Sequence, residues 1–483
     1  MKEDLQKRKQ ILQEIRGEEN RRRMQNSQTE WDIYTGNIRP YVEQRLIRRF
    51  NAKFVCKLPL VSSVNVLKRL IKKKASIYKE KPDREFIGLS EEQAKFAQRI
   101  YKDARANFVM SEANALYELQ CNQTHILVEP KNGRIVFRPM KSHQINVVPY
   151  EDDPETAEFF IISNFNSNDN QNKTNSSDYI NQKIADLNDS ALAKERHIVW
   201  GREDHYVMNG KGEIISEDTR NPIAPLLPIV EVSAMKDFKY WREETNDVAD
   251  FTIEHNVSLT MESHIVERQG FSQAYMKGPE SLLPETVETG PTSIIRIVTD
   301  PNQPSSDSEF GFATPGSNIS GTIEHNEKKL SQFLSSQGIE SNSITGQSSG
   351  NSYTSGQDRF LAQLENFQAA GEAMEIFKDA EMAIWEIIKA WHSKTKLDKK
   401  YGTTIPMTAE MEIKFSPPTA VLSETEKLDY AERMQDLGQW DRYDVYAYLN
   451  STTRDKAMEI LGNEPATEDD QTDEDGSESE IQS

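Results

Sequence analysis

The chain of 483 residues contains eight histidines, the side chain used most often for metal binding and proton transfer. They are His125, His143, His197, His205, His255, His264, His325 and His392. None belongs to a His-Glu-x-x-His pattern, which would place two metal ligands on one face of a helix. His255 and His264 are nine residues apart in one predicted helix, and therefore lie on different faces. This spacing favours ordinary polar histidines over a metal centre.

A Gly- and Ser-rich stretch, ITGQSSGNSYTSG at 344–356, has the closely spaced glycines of a phosphate-binding loop. No Gly-Lys-Ser/Thr follows it, and a P-loop needs that lysine at the β- and γ-phosphates. The sequence has no Gly-x-Ser-x-Gly motif, and the acidic pair Asp152-Asp153 falls in a predicted loop. Cys56 and Cys121 are too few for a disulfide framework or a cysteine-based zinc site. We therefore expect a protein that is not an enzyme and needs no cofactor or metal.

Residues 338–356 join two predicted helices and carry one charge, on Glu340. Helix–helix connections usually take about 2–8 residues, so this segment is unusually long. It is either a functional loop or an unstructured surface connection.

The net charge of −20 is unevenly distributed. Residues 1–100 carry 24 Lys/Arg and 13 Asp/Glu, a balance of +11, which leaves −31 for the rest. This basic region is either a nucleic-acid surface or a set of solvated helix faces with acidic neighbours. The predicted helix 241–269 has seven acidic and two basic residues, typical of a solvated face or of a wall that does not adhere to a polyanion. Residues 463–483 have too little apolar area to fold, which predicts a disordered acidic tail.

Hydrophobic periodicity predicts an α+β protein with several domains. The predicted helices cover 1–25, 38–78, 90–120, 241–269, 317–337, 357–395, 423–447 and 452–462. The predicted strands cover a hairpin at 125–139 through Asn132-Gly133, single strands at 143–149 and 157–163, a hairpin at 205–216, a run at 293–299 and a strand at 411–415. The helix over 1–25 lacks a continuous apolar stripe, so we expect it to be mobile or docked on a partner. The sequence has no apolar stretch of the roughly 18 residues that a membrane span needs, and its charged N-terminus does not read as a secretory signal.

Several segments, in this order, resemble the portal proteins of tailed bacteriophages, of the type found in phages of Gram-positive hosts. They are KRLIKKKASIYKEKP (68–82), LLPIVEV (226–232), NDVADFTIEHNVSLTMES (246–263), PGSNIS (315–320), YTSGQDRFLAQLENFQ (353–368) and SPPTAVLSETEKLDYAERMQDLGQWDRYDVYAYL (416–449). Gln357 departs from the family, which often has a small apolar residue there. The Asn-rich segment 164–177 is also unusual for the family.

The resemblance implies an elongated subunit of wing, helical stem, clip and helical crown. Its regions would be a charged N-terminal segment (1–30), the wing (31–240), a stem helix (241–269), the clip (270–316), a second stem helix (317–337), a tunnel loop (338–356), a long wing helix and strand (357–422), the crown (423–462) and the acidic tail (463–483).

The resemblance also implies three groups of functional residues. The loop that contacts DNA would contain Asn342, Ser343, Gln347, Asn351, Ser352 and Tyr353. The acidic channel wall of the stem would contain Glu243, Glu244, Asp247, Asp250, Glu254, Glu262 and Glu267. The interface of the clip would contain Ile294, Ile295, Arg296, Ile297 and Val298.

The resemblance implies that the chain is the subunit of a ring, which is dodecameric in virions and lies at one vertex of the capsid. Double-stranded DNA would be packaged and ejected through this ring. The implied partners are further copies of the chain, the terminase large subunit, the major capsid and scaffolding proteins, the tail adaptor, and DNA held transiently without sequence preference; no membrane is involved. The protein would be made in the host cytoplasm and end in the virion. The alternative is an intracellular helical scaffold that binds partner helices and has no DNA channel.

Overall fold

The computed structural model of the chain describes residues 2–164, 195–216, 219–234, 236, 238–242, 247–269, 273–280, 283, 294–299, 309–313, 319–339, 364–395, 404–415, 424–436, 438, 440–450 and 454–462. The fold is mixed α+β, as predicted. The described elements fall into two compact units, and the second contains the three helices of 424–462.

The first half of the chain alternates helices with short strands. Its elements are α1 (Lys2–Ile15), α2 (Glu18–Thr35), α3 (Arg39–Arg49), α4 (Ala52–Val55), α5 (Val66–Lys74), β1 (Asp83–Ile87), α6 (Glu91–Asp103), α7 (Ala106–Leu119), β2 (Gln123–Lys131), β3 (Arg134–Met140), β4 (Ile145–Pro149), β5 (Ala157–Asn164), β6 (Arg196–Gly201), β7 (His205–Met208) and β8 (Ile229–Ser233).

The second half contains longer helices around a small sheet. Its elements are α8 (Asp247–Gln269), β9 (Gln273–Gly278), β10 (Ile294–Val298), β11 (Glu309–Ala313), α9 (Ile319–Ser336), α10 (Leu364–Thr395), β12 (Glu410–Lys414), α11 (Glu424–Asp436), α12 (Arg442–Leu449) and α13 (Arg454–Gly462).

Two antiparallel sheets form the strand-rich part of the first unit. One has the order β3-β2-β8 and the other β4-β5-β6-β7. The predicted turn between β2 and β3 is confirmed: Asn132 and Gly133 have φ of 53° and 75°, the left-handed values that a two-residue hairpin of this type requires. Of the predicted hairpin at 205–216, only β7 is a strand, and a single bridge joins Met208 to Ile214.

The main core lies where α10 packs against α7 and the β2–β3 hairpin. Phe377 and Trp385 of α10 are buried with Met110, Ile126 and Phe137. The indole of Trp391 donates a hydrogen bond to the Val128 carbonyl over 2.9 Å, so α10 is also tied to β2. The predicted strand near 411–415 is confirmed as β12, which pairs with β1.

A buried ion pair fixes β1 to α10. The carboxylate of Glu381, which is fully buried, accepts hydrogen bonds from Arg84 over 2.5 and 3.0 Å and from the Tyr78 hydroxyl over 3.1 Å. Burial raises the pKa of Tyr78 well above its usual value, so the phenol stays a donor.

Helix α1 docks on the sheet of its own chain. Ile11, Leu12 and Ile15 are buried against a separate apolar cluster that contains Phe159, Ile161, Val199, Tyr206 and Met208. Arg16 donates to Glu195 over 3.1 Å and to the Gly210 carbonyl over 2.9 Å. The structure thus differs from the expected mobile or partner-bound helix, because three apolar residues close in sequence suffice to bury one side of this helix. The predicted helix over 1–25 is also interrupted at Gly17, between α1 and α2.

Three other predicted helices are divided as well. The helix predicted over 38–78 forms three shorter helices, α3, α4 and α5, and residues 56–65 between the last two are not helical. The helix predicted over 90–120 begins at the expected Ser90 capping box but breaks at Arg105, which has φ of 54° and separates α6 from α7. The first of the two C-terminal helices predicted over 423–447 and 452–462 breaks at Gly438, with φ of 65°, so three helices form instead of two. After this break, Asp441 caps α12. A residue in the left-handed conformation cannot continue a right-handed helix.

Candidate functional site

Helices α8 and α9 form an antiparallel pair, and the small sheet β9–β11 is inserted between them in sequence. Near the start of α8, the ring of Phe251 stacks on that of Phe333 with centroids 3.7 Å apart. Near its end, Glu262 accepts a hydrogen bond from Asn326 over 2.6 Å. The two contacts fix both ends of the pair, so the sheet emerges from a defined position.

A buried polar row holds α8 on the N-terminal helical layer. Thr252, Asn256 and Thr260 recur every four residues and are fully buried. Thr252 accepts from the backbone N–H of Leu67 and Thr260 from that of Val61, each over 3.0 Å. Asn256 accepts from the N–H of Val64 over 3.3 Å and donates to its carbonyl over 2.7 Å.

Residues 61–65 and the first turn of α5 therefore lie along α8. The side chains of α8 satisfy the backbone N–H groups of Val61, Val64 and Leu67 and the carbonyl of Val64. Sequence reasoning missed this row. Its signal was the repeat of small hydroxyl and amide residues at one helical spacing.

The predicted acidic wall on α8 is partly neutralised by arginines of α3. Arg45 donates to Asp250 over 2.5 Å and also to Glu254, and Arg49 donates to Glu254 over 2.8 Å. Burial acts to lower the pKa of Arg45, but the two carboxylates outweigh it and the net shift is upward. Arg45 and Arg49 belong to the basic region 1–100, and both face acidic neighbours. For these two residues, the charge of the region has the second of its two interpretations, helix faces with acidic neighbours.

The other predicted wall residues differ in their surroundings. Glu262 is engaged by Asn326, whereas Asp247 and Glu267 are exposed. Glu243 and Glu244 lie outside the described residues.

The inserted sheet exposes apolar side chains on its two edge strands. Its order is β10-β9-β11, with β10 parallel and β11 antiparallel to β9. On β10, the predicted interface residues Ile295, Ile297 and Val298 are 41–55% exposed. On β11, Phe310 and Phe312 are 56% and 63% exposed.

Arg296 lies on the same side of the sheet as Phe310, because both residues are in register with Met276. Arg296 makes an ion pair with Glu280 at 3.2 Å, but its Nε is buried and has no hydrogen-bond partner. Ile294, the remaining predicted interface residue, is the first residue of β10.

The predicted tunnel loop begins at a well-anchored point. Gly338, with φ of 67°, ends the turn after α9, and Ile339 is buried in the same cluster as Leu334. Lys74 donates to the Gln337 side chain over 3.3 Å. Asn342, Ser343, Gln347, Asn351, Ser352 and Tyr353, the residues expected to contact DNA, lie outside the described residues.

His125 has the surroundings of a structural side chain. His125 is fully buried and shares a 2.7 Å hydrogen bond with the Tyr240 hydroxyl. Burial, with help from Lys236 and Arg23, lowers the pKa of His125 to about 3, so it is neutral. Among the described residues, no group of three His, Cys, Asp or Glu side chains could hold a metal ion.

Within the part of the chain that the structure describes, no helix is both long and apolar enough to cross a membrane. No model of a known protein family matches the chain. A search of the curated proteins likewise returned no match.

Proposed function

We propose that this chain is the subunit of a portal ring of a tailed bacteriophage, through which double-stranded DNA enters and leaves the capsid. The observation that carries the proposal is the helix pair α8–α9 with the sheet β9–β11 inserted between its helices. In this assignment α8 and α9 are the stem, the sheet is the clip, and the segment after Ile339 is the tunnel loop.

The polar row of α8 supports the stem assignment. A stem that guides a moving polymer must keep its position relative to the wing, and the hydrogen bonds of Thr252, Asn256 and Thr260 to 61–67 fix both register and orientation. A purely apolar contact would permit sliding and rotation more easily, because it has no directional requirement.

The exposed edges of the inserted sheet support the clip assignment. Unpaired strand edges that carry exposed apolar side chains are interaction sites or aggregation hazards, so a stable protein needs them covered. In the proposal, neighbouring copies and then the terminase motor or the tail adaptor cover them, and the wing contacts capsid and scaffolding proteins.

The composition of the proposed tunnel loop supports weak contact with DNA. Its hydroxyl and amide side chains would exchange neutral hydrogen bonds with phosphates, each with a net stabilisation of about 0.5–1.5 kcal/mol. Each Lys or Arg placed at a phosphate would instead add a salt-dependent attraction that opposes sliding.

The test is electron microscopy of the purified chain by negative staining, combined with a binding assay for the motor. We expect closed rings with a central hole, and we expect Arg296→Glu to form the same rings while binding terminase more weakly. The matched control is Lys131→Glu, an exposed charge reversal in the β2–β3 turn, which should form the same rings and bind terminase normally. Monomers that bind partner helices would favour the scaffold alternative instead, and unchanged terminase binding by Arg296→Glu would remove the clip assignment.

A further inference from the structure

Phe108, in the first turn of α7, is 61% exposed and stands between two clefts of about 410 and 470 Å³. The guanidinium of Arg105, a residue with φ of 54°, lies 4.7 Å from the centre of its ring. Lys102 and Arg105 line the first cleft, and Lys72 and Lys79 line the second, against one acidic residue in each, Asp83 and Glu112. We call Phe108 and these four cations the basic aromatic surface.

Phe238 is 82% exposed, the highest value among the large apolar side chains of the described residues. Its φ of 51° is unusual for a bulky residue, and its N–H donates to the Glu155 carboxylate over 2.8 Å. Glu151, Asp152 and Asp153 are exposed just before Glu155 in the chain. Of the lysines near Phe238, Lys236 is engaged by Glu231 at 2.7 Å, and Lys239 is exposed. We call Phe238 and the four acids the acidic aromatic surface.

The two surfaces lie at opposite ends of α7. Phe108 is near its first residue, whereas the segment of Phe238 is held just beyond its last. There, Gln123 donates to the Tyr240 carbonyl over 2.9 Å and accepts from the Arg242 N–H over 3.4 Å. Helix α7 has 14 residues, and at 1.5 Å per residue it separates the two surfaces by about 20 Å.

We propose that the acidic aromatic surface of one copy of the chain docks on the basic aromatic surface of the next copy. Phe238 would enter a cleft beside Phe108, and the acids 151–155 would face Lys72, Lys79, Lys102 and Arg105. Two different complementary surfaces on one molecule make a head-to-tail contact, which closes into a ring when the rotation per subunit allows it. The inference rests on the proposed ring and specifies which residues join neighbouring subunits.

A second copy fits the basic aromatic surface better than nucleic acid does. The apolar lining of the two clefts by Trp31, Tyr34, Phe86 and Tyr101 suits an inserted apolar side chain such as that of Phe238. The left-handed residues Arg105 and Phe238 are further support, because such costly backbone conformations concentrate at functional positions.

The experiment is charge exchange, read by sedimentation velocity over a range of protein concentrations. Lys72→Glu with Lys102→Glu, or Glu151→Lys with Asp152→Lys, should each shift assembly to concentrations on the order of tenfold higher, because like charges then face each other. The four changes combined restore opposite charges across the contact and should return assembly close to that of the unmodified chain. Lys131→Glu with Arg134→Glu is the matched control and should assemble normally.

Phe238→Asn tests the apolar half of the contact without disturbing the fold, since asparagine adopts the left-handed conformation readily. It should weaken assembly and leave the circular-dichroism melt of the dissociated chain unchanged. Normal assembly by both double reversals, or a quadruple variant that is folded but stays dissociated, would overturn the pairing while leaving the ring itself in place. An unmodified chain that remains monomeric at every concentration would overturn the ring and the pairing together.

Discussion

At the scale of single residues, buried histidines make stability depend on pH. Burial lowers the pKa of His125 to about 3 and that of His143 to about 4, against about 6.5 in an unfolded chain. Between those values the unfolded state binds more protons than the folded state, so stability falls as the pH falls below about 6.5. At about 1.4 kcal/mol per pH unit, each histidine should cost the fold about 2 kcal/mol between pH 7 and pH 5.

Urea unfolding at a series of pH values measures this loss, and stability should fall less steeply with falling pH in His125→Gln than in the unmodified chain. An unchanged slope in that variant would contradict the assignment.

The buried carboxylate of Glu381 leads to a second prediction at this scale. Arg84→Met removes its ionic partner and should lower the free energy of unfolding by about 3–5 kcal/mol, because a buried charge is left unpaired. Arg84→Met combined with Glu381→Leu should recover most of that loss, since the double variant buries no charge. Thermal and urea unfolding of the three proteins test this, and equal losses in the single and double variants would refute it.

At the scale of elements, the polar row of α8 should contribute more to the stability of the fold than its three small side chains indicate. Asn256→Ala leaves both backbone groups of Val64 without a partner, and each unsatisfied group costs about 1–3 kcal/mol. Ser258→Ala, on the same helix and half-buried, is the control and should change stability by a few tenths of a kcal/mol at most. Denaturant unfolding compares the two variants, and similar small effects would mean that the row is not structurally important.

The elements also show where sequence reasoning succeeds. The Asn132-Gly133 hairpin and the Ser90 capping box were predictable, because each depends on residues a few positions apart. The break at Arg105 was not, because an arginine gives no local signal for a helix end. The break at Gly438 did have a signal, since glycine commonly ends helices, but the helix predicted over 423–447 runs through it.

The docking of α1 and the pairing of Glu254 with Arg45 join residues far apart in sequence. They could be found only once the tertiary fold was known. At the candidate site, the sequence predicted the ends of the edge strand β10 to within one residue. It did not predict which residues contact the side chains of β10 or the carboxylates of α8.

At the scale of the whole molecule, the proposed portal function predicts how charge in the tunnel loop acts. Gln347→Lys with Asn351→Lys adds two positive charges per subunit, repeated around the ring. Rings should form normally, while packaging of DNA slows or stalls because the lysines attract phosphates. Raising the salt concentration should relieve the effect in part. The neutral control is Gln347→Ser with Asn351→Ser. Normal packaging by the lysine variant would mean that this loop does not lie on the path of the DNA.

The contact between Glu262 and Asn326 also has a consequence for how the chain tolerates change in length. It holds the end of α8 against the start of α9, so the residues from 270 to 318 close a loop whose two ends are already fixed. The entropy of closing such a loop grows only with the logarithm of its length, about 0.6 kcal/mol for each doubling. Insertions, deletions or a whole exchange of the inserted sheet therefore cost the rest of the fold little, and this segment can diverge in length while α8 and α9 keep their packing.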